Sequence, residues 1–321
     1  MAISIGALFL GLLLLYLGAE WLVKGAAGLA REYGVAPLVV GLTVVAYGTS
    51  APELVVSAVA ALGGDGDIAL GNAIGSNVAN LGLILGVTAL VQPIAVQAGL
   101  IRRELPVLIL STAALPLPLV DGELSRADAA LLFAASIAFT FITVRTGSAP
   151  RARETAALVE ADAELAGAPA GGGRLRLALI AVVGLALLVG GGKIFVLGAS
   201  DLALRLGMSQ RTVGLTIVAI GTSMPELAAS VIAAVRGHSA IAVGNVIGSN
   251  VFNVLFALGG ASLLRPIAGS VVDLRVSLVA LGFMTAAAVL LLARPRTISR
   301  YEGGLLAAGY LAFLAVIAVG A

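Results

Sequence analysis

Long apolar runs recur along the whole chain, separated by short polar or Gly/Pro-rich breaks. Runs of roughly 20 residues have the length that crosses a bilayer as helix. Reading them between breaks predicts ten spanning helices, near 3–30, 36–62, 67–91, 99–119, 126–146, 174–203, 209–235, 239–264, 271–293 and 301–320. A transmembrane β-barrel would instead show short segments of alternating hydropathy. The first run, MAISIGALFLGLLLLYLG, lacks a basic leading segment and continues past Glu20 into WLVKGAAGLA, so it reads as the first span and not as a cleaved leader. The one long polar interval, 147–173, reads as a linker with flexible Gly/Ala/Pro-rich ends and a short amphipathic helix at its centre.

The pattern is a repeat. Shifting the chain by 173 residues aligns 46–86 with 219–259 without a gap, with 23 identities in 41 positions. GTSAPELVVS at 48–57 meets GTSMPELAAS at 221–230, and GNAIGSNVAN at 71–80 meets GNVIGSNVFN at 244–253; just upstream, VGLTVVA at 40–46 meets VGLTIVA at 213–219. Shared hydrophobicity does not align Gly, Thr, Ser, Pro, Glu and Asn. Five predicted spans separate one copy from the other, and an odd number inverts the second copy in the membrane. The expected architecture is therefore an all-α polytopic membrane protein of ten transmembrane helices, arranged as two inverted five-helix repeats: 1–146 with its repeat core at 40–86, a linker at 147–173, and 174–321 with its core at 213–259. Inverted repeats of this kind are characteristic of secondary transporters.

Composition agrees with the pattern. The chain is 60% hydrophobic and 11% charged, against about 25% charged for soluble domains, so most of its surface is expected to face lipid. With no cysteine there is neither disulfide nor thiolate chemistry, and a net charge of +2 gives no case for nucleic acid as a partner. The placement of the basic residues is more informative. One side of the predicted topology collects Arg31, Arg102, Arg103, Arg145, Arg151, Arg153, Arg174, Arg176, Arg236, Arg294, Arg296 and Arg300. The other collects Arg126, Arg205, Arg211, Arg265 and Arg275. The basic side faces the cytoplasm, which puts the linker inside and both termini outside.

The repeated motif carries the chemistry. A carboxylate at the bilayer centre costs at least about 2.5–3.5 kcal/mol, and Glu53 and Glu226 have no Lys or Arg in their motif segments; the expected counter-charge is a bound cation. Pro52 and Pro225 each remove a helix hydrogen bond, and Gly48 and Gly221 loosen the same place. Broken membrane helices persist where the freed carbonyls find partners, which makes the carbonyls of Ala46 and Ala219 candidate ligands. Thr49 and Ser50 precede Glu53 by four and three residues and share its face, as Thr222 and Ser223 do for Glu226. In the second element, Ser76 and Asn80 share a face, as do Ser249 and Asn253, on helices whose GxxxG spacing permits close packing. Hydroxyl, carboxylate, amide and carbonyl oxygens together suit Ca2+ or Na+. Asn72, Asn77, Asn245 and Asn250 are expected to hydrogen-bond between helices.

Two inverted copies of GTSxPE and GNxxGSNxxN resemble the repeats of the calcium:cation antiporter superfamily, the sodium/calcium exchangers, and most closely its prokaryotic branch with a short linker. The resemblance covers the whole ten-span layout. It implies one Ca2+ site and several Na+ sites at the membrane centre, with Glu53, Glu226, Thr49 and Thr222 as Ca2+ ligands. Ser50, Ser223, Ser76, Ser249 and the carbonyls of Ala46 and Ala219 are then Na+ ligands, and Asn80 and Asn253 the central polar pair. Some sodium/calcium exchangers carry aspartate where this chain has Asn253, so two carboxylates are expected here in place of three. The resemblance further implies alternating access, Ca2+ expelled against inward Na+, spans one and six sliding past the rest, a monomeric transport unit, and no bound cofactor. The superfamily's proton/calcium branch leaves H+ open as the coupling ion.

Two other classes compete. A cation channel also places carboxylates in a pore, but two broken helices in one inverted repeat favour a carrier. An intramembrane protease needs a Ser–His or Ser–Lys pair or two membrane aspartates; the only histidine, His238, falls in a predicted loop, so no enzyme is expected. Elsewhere, Glu20 and Lys24 are expected to form an i,i+4 ion pair, Lys193 and Asp201 to be interfacial or paired, and Asp65 and Asp67 to lie in a solvated turn.

Overall fold

A computed structural model describes residues 1–96, 98–147, 173–208, 219–294 and 296–320. Most of the linker, and the first part of the span expected at 209–235, lie outside the described residues. The elements are α1 (Ala2–Tyr33), α2 (Pro37–Val40), α3 (Ala46–Thr49), α4 (Ala51–Gly63), α5 (Gly66–Ala79), α6 (Leu85–Val91), β1 (Ile94–Ala95), α7 (Ala98–Ala114), β2 (Glu123–Leu124) and α8 (Arg126–Gly147). After the linker come α9 (Arg174–Arg205), α10 (Ala219–Thr222), α11 (Met224–Val235), α12 (Ser239–Phe252), α13 (Gly259–Leu264), β3 (Ile267–Ala268), α14 (Arg275–Leu292), β4 (Thr297–Ile298) and α15 (Arg300–Gly320). Among the described residues three π-helical turns, Gly41–Val45, Asn80–Ile84 and Asn253–Leu258, join α2 to α3, α5 to α6 and α12 to α13.

The protein is helical and built to lie in a membrane. Among the described residues eight helices are long and apolar enough to cross one, and the pair Pro37–Thr49 and Ala51–Gly63 makes a ninth if it is a single broken span. Their ends fall within a few residues of most of the predicted ones. The two spans carrying GNxxGSN are interior: in an 18-residue apolar stretch of each, 72% of the residues are buried in Gly66–Val91 and 94% in Ser239–Leu264, against 17–33% in the other six long helices. Polar groups are thus concentrated where lipid does not reach, and the outer helices show lipid the large apolar side chains that are exposed here, such as Phe9, Leu131, Val183 and Phe283.

The described residues form two units. The first comprises Met1–Thr49 and Thr143–Asn245. Its frame is α1 against α9, two 32-residue helices that each reach about 48 Å at 1.5 Å per residue. A Cβ added to Gly11, Gly18 or Gly25 would meet the backbone nitrogen of Phe195, Leu188 or Ala181, at 2.6, 2.5 and 2.6 Å. Each step of seven residues up α1 is a step of seven down α9, so the helices run antiparallel in one continuous close seam. Glycine is required there because backbone meets backbone. The seam is tied at one end by Ser4 donating to Asp201 at 2.5 Å and at the other by Arg174 near Glu32, 3.8 Å apart.

The second unit comprises Ser50–Ile142 and Val246–Ala321. Here α6 packs on α15, with Gly86 against the backbone of Gly303 and Ala307. Its repeat counterpart Gly259, on α13, packs against Leu132 and Phe133 of α8. Two short antiparallel strand pairs, not foreseen from the sequence, close the ends of spans: Ile94 pairs with Ile298, and Leu124 with Ile267. Each pair joins a strand of one repeat to a strand of the other. Thr112 on α7 and Thr285 on α14, 173 residues apart, approach to 3.4 Å between hydroxyls.

One expected ion pair is replaced by another. Glu20 pairs with Arg236, whose Nε donates at 2.6 Å, and not with Lys24. Arg236 caps the end of α11, which packs along α1, so its planar guanidinium meets the carboxylate with two donors. Asp201 pairs with Arg205 at 2.7 Å; Asp65 and Asp67 are both exposed, Asp65 as the N-cap of α5 and Asp67, expected in a turn, in the first turn of that helix.

Candidate functional site

In the first unit the helix breaks at Ser223 (φ −89, ψ 6). Its N–H donates three residues back, to Ile220 O at 3.1 Å, and its own carbonyl accepts from Leu227 at 3.1 Å. Ser223 N–H is the donor that a regular helix would aim at Ala219 O, so the break redirects it. Ser223 thereby becomes the N-cap of α11 and Pro225 falls in its first turn. A first-turn N–H has no intrahelical acceptor, so a proline there loses little. Glu226 also lands in that turn, fully buried, where the helix N-terminus favours negative charge by about 0.3–1 kcal/mol. The motif therefore turns a mid-membrane carboxylate into a helix-terminal one.

Asn245 on α12 braces this turn. Its Nδ2 donates to Glu226 O at 3.3 Å and to Ser230 Oγ at 2.9 Å. Its Oδ1 accepts from Thr49 Oγ1 at 3.2 Å, a hydroxyl that also lies 3.5 Å from Ala46 O. Asn245, Thr49 and Ala46 are all buried. Ser223 Oγ is buried and has no hydrogen-bond partner among the described residues. Thr222 closes α10, one residue before the break.

The second unit repeats the arrangement. Ser50 (φ −85, ψ 6) is the N-cap of α4 and accepts from Leu54 N–H at 3.2 Å. Pro52 and Glu53 stand in the first turn, and Glu53 is 1% exposed. Asn72 on α5 donates to Glu53 O at 3.1 Å and to Ser57 Oγ at 3.0 Å. Both carboxylates thus ride on turns whose backbone is clamped by an asparagine 19 residues further on. The braces Ser57 and Ser230 were not among the expected site residues, although the last letter of GTSxPELxxS is their signal.

A chain of amides lies deeper in the same unit. Asn77 on α5 donates Nδ2 to Asn250 O at 3.1 Å, and its Oδ1 accepts from Asn253 Nδ2 at 3.1 Å. Asn250 donates Nδ2 to Val246 O, one turn back on its own helix, at 2.7 Å. Asn80 and Asn253 each open a π-turn, a feature that often marks functional positions in helices. Both are at most 1% exposed. Asn253 Oδ1, both amide atoms of Asn80 and Ser249 Oγ are buried without a hydrogen-bond partner among the described residues. Buried polar atoms in such a state are costly, about 1–3 kcal/mol each, and oxygens of this kind are what a bare cation needs. Ser76, on α5, is 5% exposed.

The one histidine sits between α11 and α12, half-buried. Burial pushes its pKa below the ordinary histidine value, and the positive charge of Arg31 adds to that.

The family described as "Sodium/calcium exchanger protein" matches residues 3–145 and 176–319. The putative antiporter CaxA of Alkalimonas amylolytica is 45% identical over 257 residues, 80% of this chain and 79% of the relative. The sodium/calcium exchanger MaX1 of Methanosarcina acetivorans is 31% identical over 339 residues, 97% of each chain. Among solved structures, the sodium-calcium exchanger NCX_Mj soaked with Na+ and Ca2+ superposes with a TM-score of 0.82 at 34% identity, covering 97% of both chains.

Proposed function

Since this chain belongs to the sodium/calcium exchanger family, we propose that it is a secondary-active antiporter exchanging Ca2+ for Na+ by alternating access, normally extruding Ca2+. The observation that carries the reading is the duplicated, asparagine-clamped turn that holds a buried glutamate just after a helix break, Glu53 in one unit and Glu226 in the other. The Ca2+ ligands we assign are Glu53, Glu226, Thr49 and Thr222. For Na+ we assign Ser50, Ser223, Ser76, Ser249 and the carbonyls of Ala46 and Ala219, with Asn80 and Asn253 as the central pair. Two carboxylates balance one Ca2+ or two Na+, and the same pair of negative charges cannot neutralise both loads at once, which couples the two fluxes.

The ten-helix inverted repeat is part of the proposal. The antiparallel seam of α1 with α9 supports it, because α9 is the 173-residue counterpart of α1. So do the contacts of Asn77 with Asn250 and of Thr112 with Thr285, each residue meeting its own counterpart; such contacts arise on a two-fold axis. The arginine distribution favours both termini outside and the linker in the cytoplasm, and the likeness to an inner membrane protein of Escherichia coli favours the inner membrane of a prokaryote. One chain suffices for transport, with no cofactor.

Radioactive Ca2+ uptake into Na+-loaded proteoliposomes at clamped pH tests the reading. Uptake is expected to follow the outward Na+ gradient and to vanish when Na+ is equal on both sides. Uptake that responds to a proton gradient and ignores the Na+ gradient assigns the second reading, H+/Ca2+ exchange, which two protonatable carboxylates without a third would also serve. Conductance without counter-transport would make the protein a channel.

A further inference from the structure

A primary amide is a two-faced ligand: its oxygen attracts a cation and its NH2 repels one. A carboxylate has no such ambiguity. This chain has Asn253 where a cation is to be held, so something must decide which face the amide shows. The buried network of the second unit makes that decision. The main-chain carbonyl of Asn250 can only accept, so Asn77 must present its Nδ2 to it, at 3.1 Å. Asn77 Oδ1 is then turned toward Asn253 and takes that residue's Nδ2, again at 3.1 Å. Asn253 is left with Oδ1 as its one uncommitted polar side-chain atom, buried and without a hydrogen-bond partner among the described residues.

From this we infer that Asn77 is a positioning residue that sets the polarity of Asn253, fixing its amide oxygen toward the transported ion. The backbone of the π-turned helix is the fixed reference, and Asn77 relays its polarity by one step. The relay is specific to this half of the repeat. The counterpart of Asn77, Asn250, spends its Nδ2 on Val246 O within its own helix, its Oδ1 has no donor among the described residues, and Asn80 has no amide partner there. Helix packing alone would have treated the two copies alike. A polarity relay is needed once, at the position that commits an oxygen.

The inference rests on the reading of Asn253 as a cation ligand, and the experiment separates the two. Ca2+ KM and kcat of Na+-driven exchange are measured in proteoliposomes for the wild type, Asn253→Ala, Asn77→Ala, Asn253→Asp and the double variant Asn77→Ala/Asn253→Asp. Loss of a group that orients a ligand typically costs about 10–100-fold in affinity, so Asn77→Ala is expected to raise KM by that factor with kcat changed less. In the Asn253→Asp background either carboxylate oxygen serves, so adding Asn77→Ala is expected to leave KM where Asn253→Asp alone puts it. The same KM rise in both backgrounds, or no rise in either, overturns the inference, since a packing role does not depend on whether residue 253 is an amide. Where Asn77→Ala does not fold, Asn77→Ser carries the same comparison, because its short hydroxyl reaches neither Asn250 O nor Asn253. If Asn253→Ala leaves Ca2+ KM and Na+ dependence unchanged, the assignment of Asn253 as a ligand has failed, whatever Asn77 does.

Discussion

Asn245 grips the main-chain oxygen of Glu226 at 3.3 Å, so the residue that holds the buried carboxylate in place does so through its backbone. Asn72 holds Glu53 in the same way at 3.1 Å. An amide spent on the carboxylate itself would compete with a cation; one spent on the backbone fixes the turn without competing. Asn245→Ala strips a donor from both Glu226 O and Ser230 Oγ and an acceptor from Thr49. At about 1–3 kcal/mol per buried group left unsatisfied, the variant is expected to melt several degrees lower and to bind Ca2+ more weakly. Asn72→Ala, which frees only Glu53 O and Ser57 Oγ, is expected to lose less. Thermal melts of the purified variants with and without Ca2+ check the order.

Removing the charge is a different matter. Glu53→Gln and Glu226→Gln keep volume and every backbone bond, so folding should survive. Removing one partner of a desolvated ion pair costs roughly 3–5 kcal/mol, and at about 1.4 kcal/mol per tenfold each variant should lose Ca2+ affinity by more than a hundredfold. Exchange at the wild-type rate in either would show that its carboxylate does not hold the ion. Binding to detergent-solubilised protein reads this without transport.

The glycines of α9 give a test of the α1 seam. Three adjacent ones, Gly190, Gly191 and Gly192, have different surroundings: a Cβ on Gly190 meets nothing within 4 Å, one on Gly191 meets the Leu15 nitrogen at 2.8 Å, and one on Gly192 meets Pro225 at 3.3 Å. Gly191→Ala should destabilise by about 1–3 kcal/mol, the usual cost of overpacking. Gly190→Ala should be neutral or stabilise by up to about 1 kcal/mol, because alanine is the better helix former. Equal melting temperatures for the two would mean that the seam is not a close backbone contact.

Much of this was legible beforehand because the membrane enforces it. Apolar length fixes spans, and α12 through α13 ended at the predicted residue, Leu264. The duplicated Glu53 and Glu226 declared themselves as charges with no business in lipid. The expected role of Asn72, Asn77 and Asn245 in bonding one helix to another is also what their hydrogen bonds show, whereas Asn250 turns its side chain back to Val246 O of its own helix. Other features were not legible, for identifiable reasons. The pairing of Glu20 with Arg236 joins residues 216 apart, and local spacing offered Lys24 as the obvious partner. The π-turns at Asn80 and Asn253 insert one residue into a helical ladder without changing any hydropathy pattern. The strand pairs are two residues each, shorter than any periodicity.

His238 predicts an acid limb in stability. Burial and Arg31 hold its folded pKa below the unfolded value of about 6.5. Above that value the side chain is neutral in both states and the full stability is present. As pH falls below it the unfolded chain takes up the proton first, and stability is lost progressively down through the folded pKa. His238→Gln should flatten that part of the curve. Melting temperature is measured from pH 8 to pH 5 for both proteins; parallel curves would remove His238 as a cause.

The last prediction concerns Asn253 itself. In the ligand set we propose, Asn253→Asp adds a third carboxylate to those of Glu53 and Glu226; it also puts an oxygen where Nδ2 now meets Asn77 Oδ1 at 3.1 Å. Asn77 can relieve that contact only by turning its amide, which would set its Oδ1 against the Asn250 carbonyl. The variant is therefore expected to fold with some loss of stability. The larger change is electrostatic. Two carboxylates match the charge of one Ca2+, whereas three leave a net negative charge that a further Na+ neutralises. The cation preference of the exchanger should move accordingly: half-saturation by Na+ at lower concentration, a steeper Na+ dependence, and a changed response of exchange to membrane potential. Measured in proteoliposomes with the potential clamped, a Na+ dependence identical to that of the wild type would mean that residue 253 lies outside the ion-binding set.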